Sequence, residues 1–146
     1  MARFFTLQQA EQVLPQVESV IREAIALKSE YQQAESECQE FRRRVMLQGG
    51  MLVDHSKLLD RNGRRDASAQ QLKEAIQKIL EYGCLVKDLD IGLIDFPTLF
   101  NGHEVYLCWK LGESGIQFWH GVEEGFRGRK AIDREFLEHH QGDLPN

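Results

Sequence analysis

The chain is short of the residues that staple or kink a fold, with three cysteines and three prolines in 146 residues. Cys38, Cys84 and Cys108 are odd in number and share no CxxC spacing, so neither a disulfide framework nor a structural zinc motif is indicated. Each sits in an apolar pattern, as a small buried hydrophobe does, with no adjacent base to activate a thiol. No apolar run approaches the roughly 20 residues of a membrane span, and MARFFTLQQAEQ brings in an acid too early for a signal peptide. The expected setting is the cytoplasm, with no membrane partner. A phosphate loop, a Rossmann glycine pattern and a serine elbow are all missing. Acids outnumber bases, 23 to 18. The net charge of −5 argues against general nucleic-acid binding, because neutralising phosphates requires a basic face.

What is there describes an ordinary globular protein, 42% hydrophobic and 28% charged, read as a single domain over 1–146. Residues 6–82 have a helical period. Thr6 and Gln9 form a capping box, and Ala10, Val13, Val17, Val20, Ala24, Leu27, Tyr31, Ala34, Cys38, Phe41 and Val45 then alternate by three and four. Pro15 predicts a kink, not a stop, because the seam continues in phase. Gln48-Gly49-Gly50 ends this helix, Met51–Asp60 is ambiguous, and Asn62-Gly63 reads as a break. A second helix is predicted from Asp66 or Ser68 to Gly83, antiparallel to the first. The first would be on the order of 60 Å long and the second about 25 Å at ~1.5 Å per residue. Either the 51–60 segment or a second chain must cover the excess, so a homodimer through the helices is an expected partner.

From Cys84 the period becomes two, and four strands are predicted near 84–89, 93–98, 103–111 and 116–121, with a loop or tail over 122–146. Asp90-Ile91-Gly92 suits a glycine-bulge turn pairing Leu89 with Leu93. Asn101-Gly102 is the strongest hairpin signal and pairs Phe100 with His103. A Gly112–Gly115 loop pairs Leu111 with Ile116. The expected fold is α+β: a long, coiled-coil-like antiparallel helical hairpin packed on a small four-stranded antiparallel meander.

These registers sort the carboxylates of KDLDIGLIDFPT, residues 87 to 98. Lys87 falls opposite Asp95 on an open face that also carries Tyr106, Lys110 and Trp119. Asp88 and His120 point into the apolar face, on outer strands three steps apart. At ~4.8 Å per step that is roughly 14 Å, too far for a catalytic couple. A tighter turn would instead oppose Asp88 and Asp95 as a dyad. Past the strands, GFRGRKAID places Arg127 and Arg129 between glycines, where they can hold a phosphate or carboxylate or pair with neighbouring acids.

GCLVKDLDIGLIDFP, EVYLCWKLGE, Trp119-His120 and GFRGR together resemble the bacterial family called domain of unknown function 2203, over nearly the whole chain. By that resemblance Lys87, Asp88, Gly92, Asp95, Phe96, Glu104, Trp109, Glu113, Trp119, His120 and Arg129 are the positions of interest. The resemblance implies no activity, substrate or cofactor.

Two readings follow. In the first, the chain binds a ligand or partner and dimerises through its helices, with Lys87, Asp95, Tyr106, Lys110, Trp119, Arg127 and Arg129 as the surface for a protein or small anion. No cofactor is evident in that reading. In the second, it is a metal-dependent or acid–base hydrolase. Asp88 and His120 are then the catalytic candidates, Asp88, Glu104, Glu113 and His120 the ligands for a divalent metal, and Arg127 or Arg129 the anchor of an anionic substrate.

Overall fold

The heptad spacing from Ala10 to Val45 is realised as one continuous helix. In a computed structural model, which describes residues 3–49 and 55–143, helix α1 runs from Leu7 to Leu47 and passes through Pro15 without ending. Its capping box is formed as expected. The Gln9 amide donates to Thr6 Oγ1 at 3.1 Å, and the Thr6 amide donates to Gln9 Oε1 at 3.0 Å.

Helix α2, His55–Glu81, begins well before the predicted Asp66 or Ser68 and runs straight through Asn62-Gly63. A helical glycine costs about 1 kcal/mol relative to alanine, and cross-helix contacts on either side outweigh that here. The Cys38 thiol donates to Asn62 Oδ1 at 3.6 Å, Arg65 pairs with Glu35 at 3.6 Å, and the Arg61 guanidinium lies 4.5 Å from the centre of the Phe41 ring. Cys38 is consequently 1% exposed, while Tyr31, Phe41 and Val45 of the same seam stay partly exposed. Residues 51–54 of the ambiguous segment lie outside the described residues.

The chain forms two compact units, one comprising residues up to Arg22 with those from Ile76 onward, the other Glu23–Ala75. The second unit is the helical hairpin just described, with Ala24, Leu27, Ala34, Cys38 and Ala75 in its core. The first holds an antiparallel sheet of six strands: β1 Leu85–Asp88, β2 Leu93–Phe100, β3 His103–Lys110, β4 Phe118–Gly121, β5 Lys130–Ala131 and β6 His140–Gln141. The first five lie in chain order, and β6 pairs with the end of β2. The predicted meander is thus present, extended by two short strands from the tail. A short helix, α3 Arg134–His139, lies between β5 and β6 and is capped by Asp133, whose carboxylate accepts from the Phe136 amide at 2.8 Å. The core of this unit includes Phe5, Ala10, Val17, Ile21, Ile79, Ile94, Phe96, Leu107 and Trp109, each fully buried.

Turn chemistry decides the registers. Asn101 and Gly102 both have positive φ, 51° and 80°, and Phe100 faces His103 as the sequence requires. That hairpin sets Asp95 opposite Cys108 and Pro97 opposite Tyr106. At the first turn Gly92 takes φ +67°, and a Cβ there would meet Leu111 Cβ at 2.6 Å, so only glycine fits. The pairing differs from expectation: Asp88, not Leu89, faces Leu93, and a bulge between Val86 and Asp88 adds a further step, so that Leu85 faces Asp95.

The third connection shows the larger departure. Leu111 and Ile116 do not pair. β4 starts at Phe118, with Cys108 facing Phe118, Leu107 facing Trp119 and Tyr106 facing His120. Glu113 holds this loop wide. Its carbonyl accepts the Trp109 indole N–H at 3.1 Å, and its carboxylate accepts the Lys110 amide at 2.7 Å. A one-residue shift turns every side chain of a strand to the other face. His120 therefore leaves the face predicted for it, and Trp119 takes that place.

Candidate metal centre

The exchange brings together three residues that no sequence motif linked. Asp95 on β2, Cys108 on β3 and His120 on β4 share one face of the sheet, with relative exposures of 0%, 0% and 3%. One donor atom from each lies within 4.8 Å of the others.

His120 is held from both sides. Its Nδ1–H donates to the Gly121 carbonyl at 2.8 Å, and Nε2 lies 3.0 Å from each oxygen of the Asp95 carboxylate. A carbonyl and a carboxylate only accept, so this arrangement suits a ring carrying both protons against the aspartate. The pair lies in a site closed to water, with side-chain exposures of 4% and 1%. The Tyr106 ring lies 5.5 Å from the imidazole, and burial, then Glu104 and Asp95, raise its phenol pKa.

Cys108 completes the group as a neutral thiol. Burial first, and the Asp95 carboxylate next, push it up to about 12 against the opposing pull of Arg129. Neither ring nitrogen of His120 is free to activate it, since one faces Gly121 and the other Asp95. A nucleophilic cysteine triad requires a base nitrogen on the sulfur, and this arrangement does not place one there.

Arg129 closes the same face. Its guanidinium lies 4.2 Å from the centre of the Phe118 ring and 4.4 Å from that of Phe126, while Nη1 donates to both Glu113 oxygens, at 2.9 and 3.2 Å. Burial works against its charge, and Glu113 more than compensates, so its pKa is raised. Lys87 Nζ sits 5.0 Å from the centre of the Tyr106 ring, and Lys110 Nζ 5.8 Å from that of Phe126.

The remaining candidates disperse. Lys87 does not pair with Asp95: the β1 bulge sets Leu85 opposite Asp95 and leaves Lys87 exposed. Asp88 is not an inward-facing acid but the exposed last residue of β1, its carboxylate accepting the Asp90 amide at 3.0 Å, so neither an Asp88–Asp95 dyad nor an Asp88 ligand set forms. Glu104 and Arg127 are exposed, and Glu113 is committed to Arg129 and the Lys110 amide. Trp119 lies on the opposite face, against Phe100 and Phe136 at 5.1 and 4.9 Å, with Lys130 Nζ 4.6 Å from its ring centre. The expected open recognition face of Tyr106, Lys110 and Trp119 is thus not assembled, because Tyr106 is 8% exposed and Trp119 points away. Of the predicted ligand set only His120 takes part. Its partners are Asp95 and Cys108.

Residues 3–132 match the model of a family described as an uncharacterized conserved protein, DUF2203. The chain belongs to that family. No curated protein and no solved structure matches it. The region matched to DUF2203 contains all of Asp95, Cys108, Glu113, His120 and Arg129 and stops after β5, short of α3 and β6.

Cys84, 1% exposed at the head of the sheet, provides a test of burial in this DUF2203 chain. Burial pushes its thiol up to about 12 from an ordinary value of 9.0, with Arg3 opposing. A group whose folded pKa is raised stabilises the fold fully below its unfolded value and loses that contribution as pH climbs towards the folded one. Thermal melts should therefore show an alkaline loss of stability developing between about pH 9 and 12, weaker in Cys84→Ala. Identical alkaline limbs in the two proteins would rule out the buried thiol as a contributor.

Proposed function

We propose that this protein binds a transition-metal ion of the zinc class through Asp95, Cys108 and His120. The observation that carries the reading is the convergence of one oxygen, one sulfur and one nitrogen donor within 4.8 Å, all three residues at 3% exposure or less. Tetrahedral zinc holds its ligands roughly 3.5 Å apart, so small side-chain rotations would close the set around an ion. A mixed nitrogen, sulfur and oxygen set suits zinc and its neighbours and does not suit calcium or magnesium. The Gly121 carbonyl supports it further. It fixes Nδ1–H and presents Nε2 to Asp95 and Cys108, the second partner that metal-ligating histidines take.

Charge supports the same conclusion. Carboxylate plus thiolate neutralise a divalent cation, as imidazolium plus carboxylate neutralise each other without one, so either state avoids an uncompensated buried charge. Turnover of a substrate, by contrast, requires a reacting position open to it. The burial of all three residues therefore favours metal holding over the hydrolase reading.

The test is metal content and stability. Protein produced with zinc in the medium should carry about one ion per chain, and Cys108→Ala should carry none. Zinc at 100 times its Kd should stabilise the wild type by about 2.7 kcal/mol and leave the variant unchanged. Metal-free wild-type protein whose melting is indifferent to zinc, cobalt and manganese would falsify the reading.

A further inference from the structure

The helical unit ends in a feature that the metal centre does not use. Among the described residues between 40 and 66, seven arginine and lysine side chains stand against Glu40, Asp60 and Asp66, in a chain whose net charge is −5. The positive charge is thus concentrated at one end of the hairpin. Arg42, Arg43, Arg44 and Arg64 are all exposed. Arg43 and Arg44 share Glu40 through contacts of 3.2 and 3.3 Å, at side-chain exposures of 68% and 69%, so water screens these pairs and they hold the arginines weakly. Arg42 and Arg64 have no ion pair among the described residues.

The same end exposes large apolar side chains. Met46, Leu47 and Leu59 are 80%, 75% and 70% exposed, the three most exposed large hydrophobic residues among those described. Met46 and Leu47 close α1, and Leu59 lies in the second turn of α2. The contacts of Phe41 with Arg61 and of Cys38 with Asn62 bring those two helix ends side by side. Aliphatic side chains interleaved with arginines fit a surface that is anionic outside and apolar beneath. Nucleic acid would use the arginines and leave the aliphatic groups in water.

We propose that this end of the hairpin docks on an anionic lipid bilayer, with Met46, Leu47 and Leu59 entering the headgroup layer and Arg42, Arg43 and Arg44 on the phosphates. No helix among the described residues is long and apolar enough to cross a membrane. Attachment to the surface needs no such span, so the expectation of no membrane partner is replaced by a peripheral one. The proposal is independent of the metal centre.

The test is co-sedimentation of the full chain with vesicles of phosphatidylcholine containing phosphatidylserine, and with phosphatidylcholine alone. Binding is expected to the first only, falling as salt is raised. Arg42→Glu with Arg43→Glu should weaken it roughly thirtyfold or more, from the attraction of each arginine to an anionic surface. Met46→Ser with Leu47→Ser should weaken it as well, with helix content unchanged by circular dichroism, since all four side chains are exposed. No binding, or equal binding to both vesicle types, overturns the proposal. So does tight binding of single-stranded RNA that is indifferent to Met46→Ser with Leu47→Ser. A two-chain mass in light scattering that falls to one chain in that same variant would make this end an interface between copies, and overturns it too.

Discussion

Replacing Asp95 by alanine is expected to destabilise the protein by about 3–5 kcal/mol, the cost typical of removing one partner from a buried ion pair. The side chains of Asp95 and His120 are 1% and 4% exposed, so water cannot take over the role of the lost group. In Asp95→Ala the imidazole keeps its bond to Gly121 but loses both carboxylate contacts at 3.0 Å. His120→Ala leaves the opposite defect, a carboxylate at 0% exposure without its cation. Either loss should lower the melting temperature by roughly 10 °C or more. The double variant should cost clearly less than the sum of the singles, because each single leaves a charge that the other removes. Urea denaturation of all four proteins measures this. Additive costs, or a loss near 0.5 kcal/mol for Asp95→Ala, would mean that the two side chains do not share a dry environment.

Trp109→Ala is expected to cost a similar 3–5 kcal/mol by a different route, the loss of a large buried side chain that its surroundings fill only in part. Trp109 is fully buried opposite Ile94, and its indole N–H ties the Glu113 carbonyl at 3.1 Å. That second contact couples core packing to the face that carries Asp95, Cys108 and His120, since the Glu113 side chain holds Arg129. Trp109→Phe keeps most of the volume and loses only the hydrogen bond, so it should lie within about 1.5 kcal/mol of wild type. A near-neutral Trp109→Ala would show that the sheet is not packed at native density there.

Much of the architecture is legible in the sequence, and the point at which that legibility ends has a definite cause. The long helix follows from an unbroken seam between Ala10 and Val45, and the capping box from Thr6 and Gln9. The second hairpin follows from Asn101-Gly102, whose geometry leaves one register. That register alone sets Asp95 opposite Cys108, so the turn chemistry of two residues already pairs two members of the candidate centre. His120 is harder to place because the 111–117 connection looks like a short turn between Leu111 and Ile116. What widens it is Glu113, through one bond from the Trp109 indole and one from the Lys110 amide, and neither leaves a periodic signal. A single residue of slip then moves His120 from the Asp88 side to the Asp95 side. The Val86–Asp88 bulge likewise takes Lys87 out of register with Asp95, since bulges have no fixed sequence pattern outside glycine positions. Helix α2 starts earlier than its pattern suggests because Asn62-Gly63 carries a strong local turn preference, and the packing that overrides it comes from α1, distant in sequence.

Cysteine is the residue whose role is least visible in the pattern. Cys108 in an apolar strand reads as a small hydrophobe, and without a ligand it behaves as one, its thiol pushed up to about 12 by burial. Only the sheet shows that its neighbours across two strands are a carboxylate and an imidazole. X-ray absorption at the zinc edge of protein purified from zinc-supplemented cells decides whether that neighbourhood is a metal centre. The expected spectrum has one sulfur at about 2.3 Å with nitrogen and oxygen at about 2.0–2.1 Å, the sulfur shell being lost in Cys108→Ala. A shell without sulfur, or one unaltered by that substitution, would contradict a centre built from Asp95, Cys108 and His120.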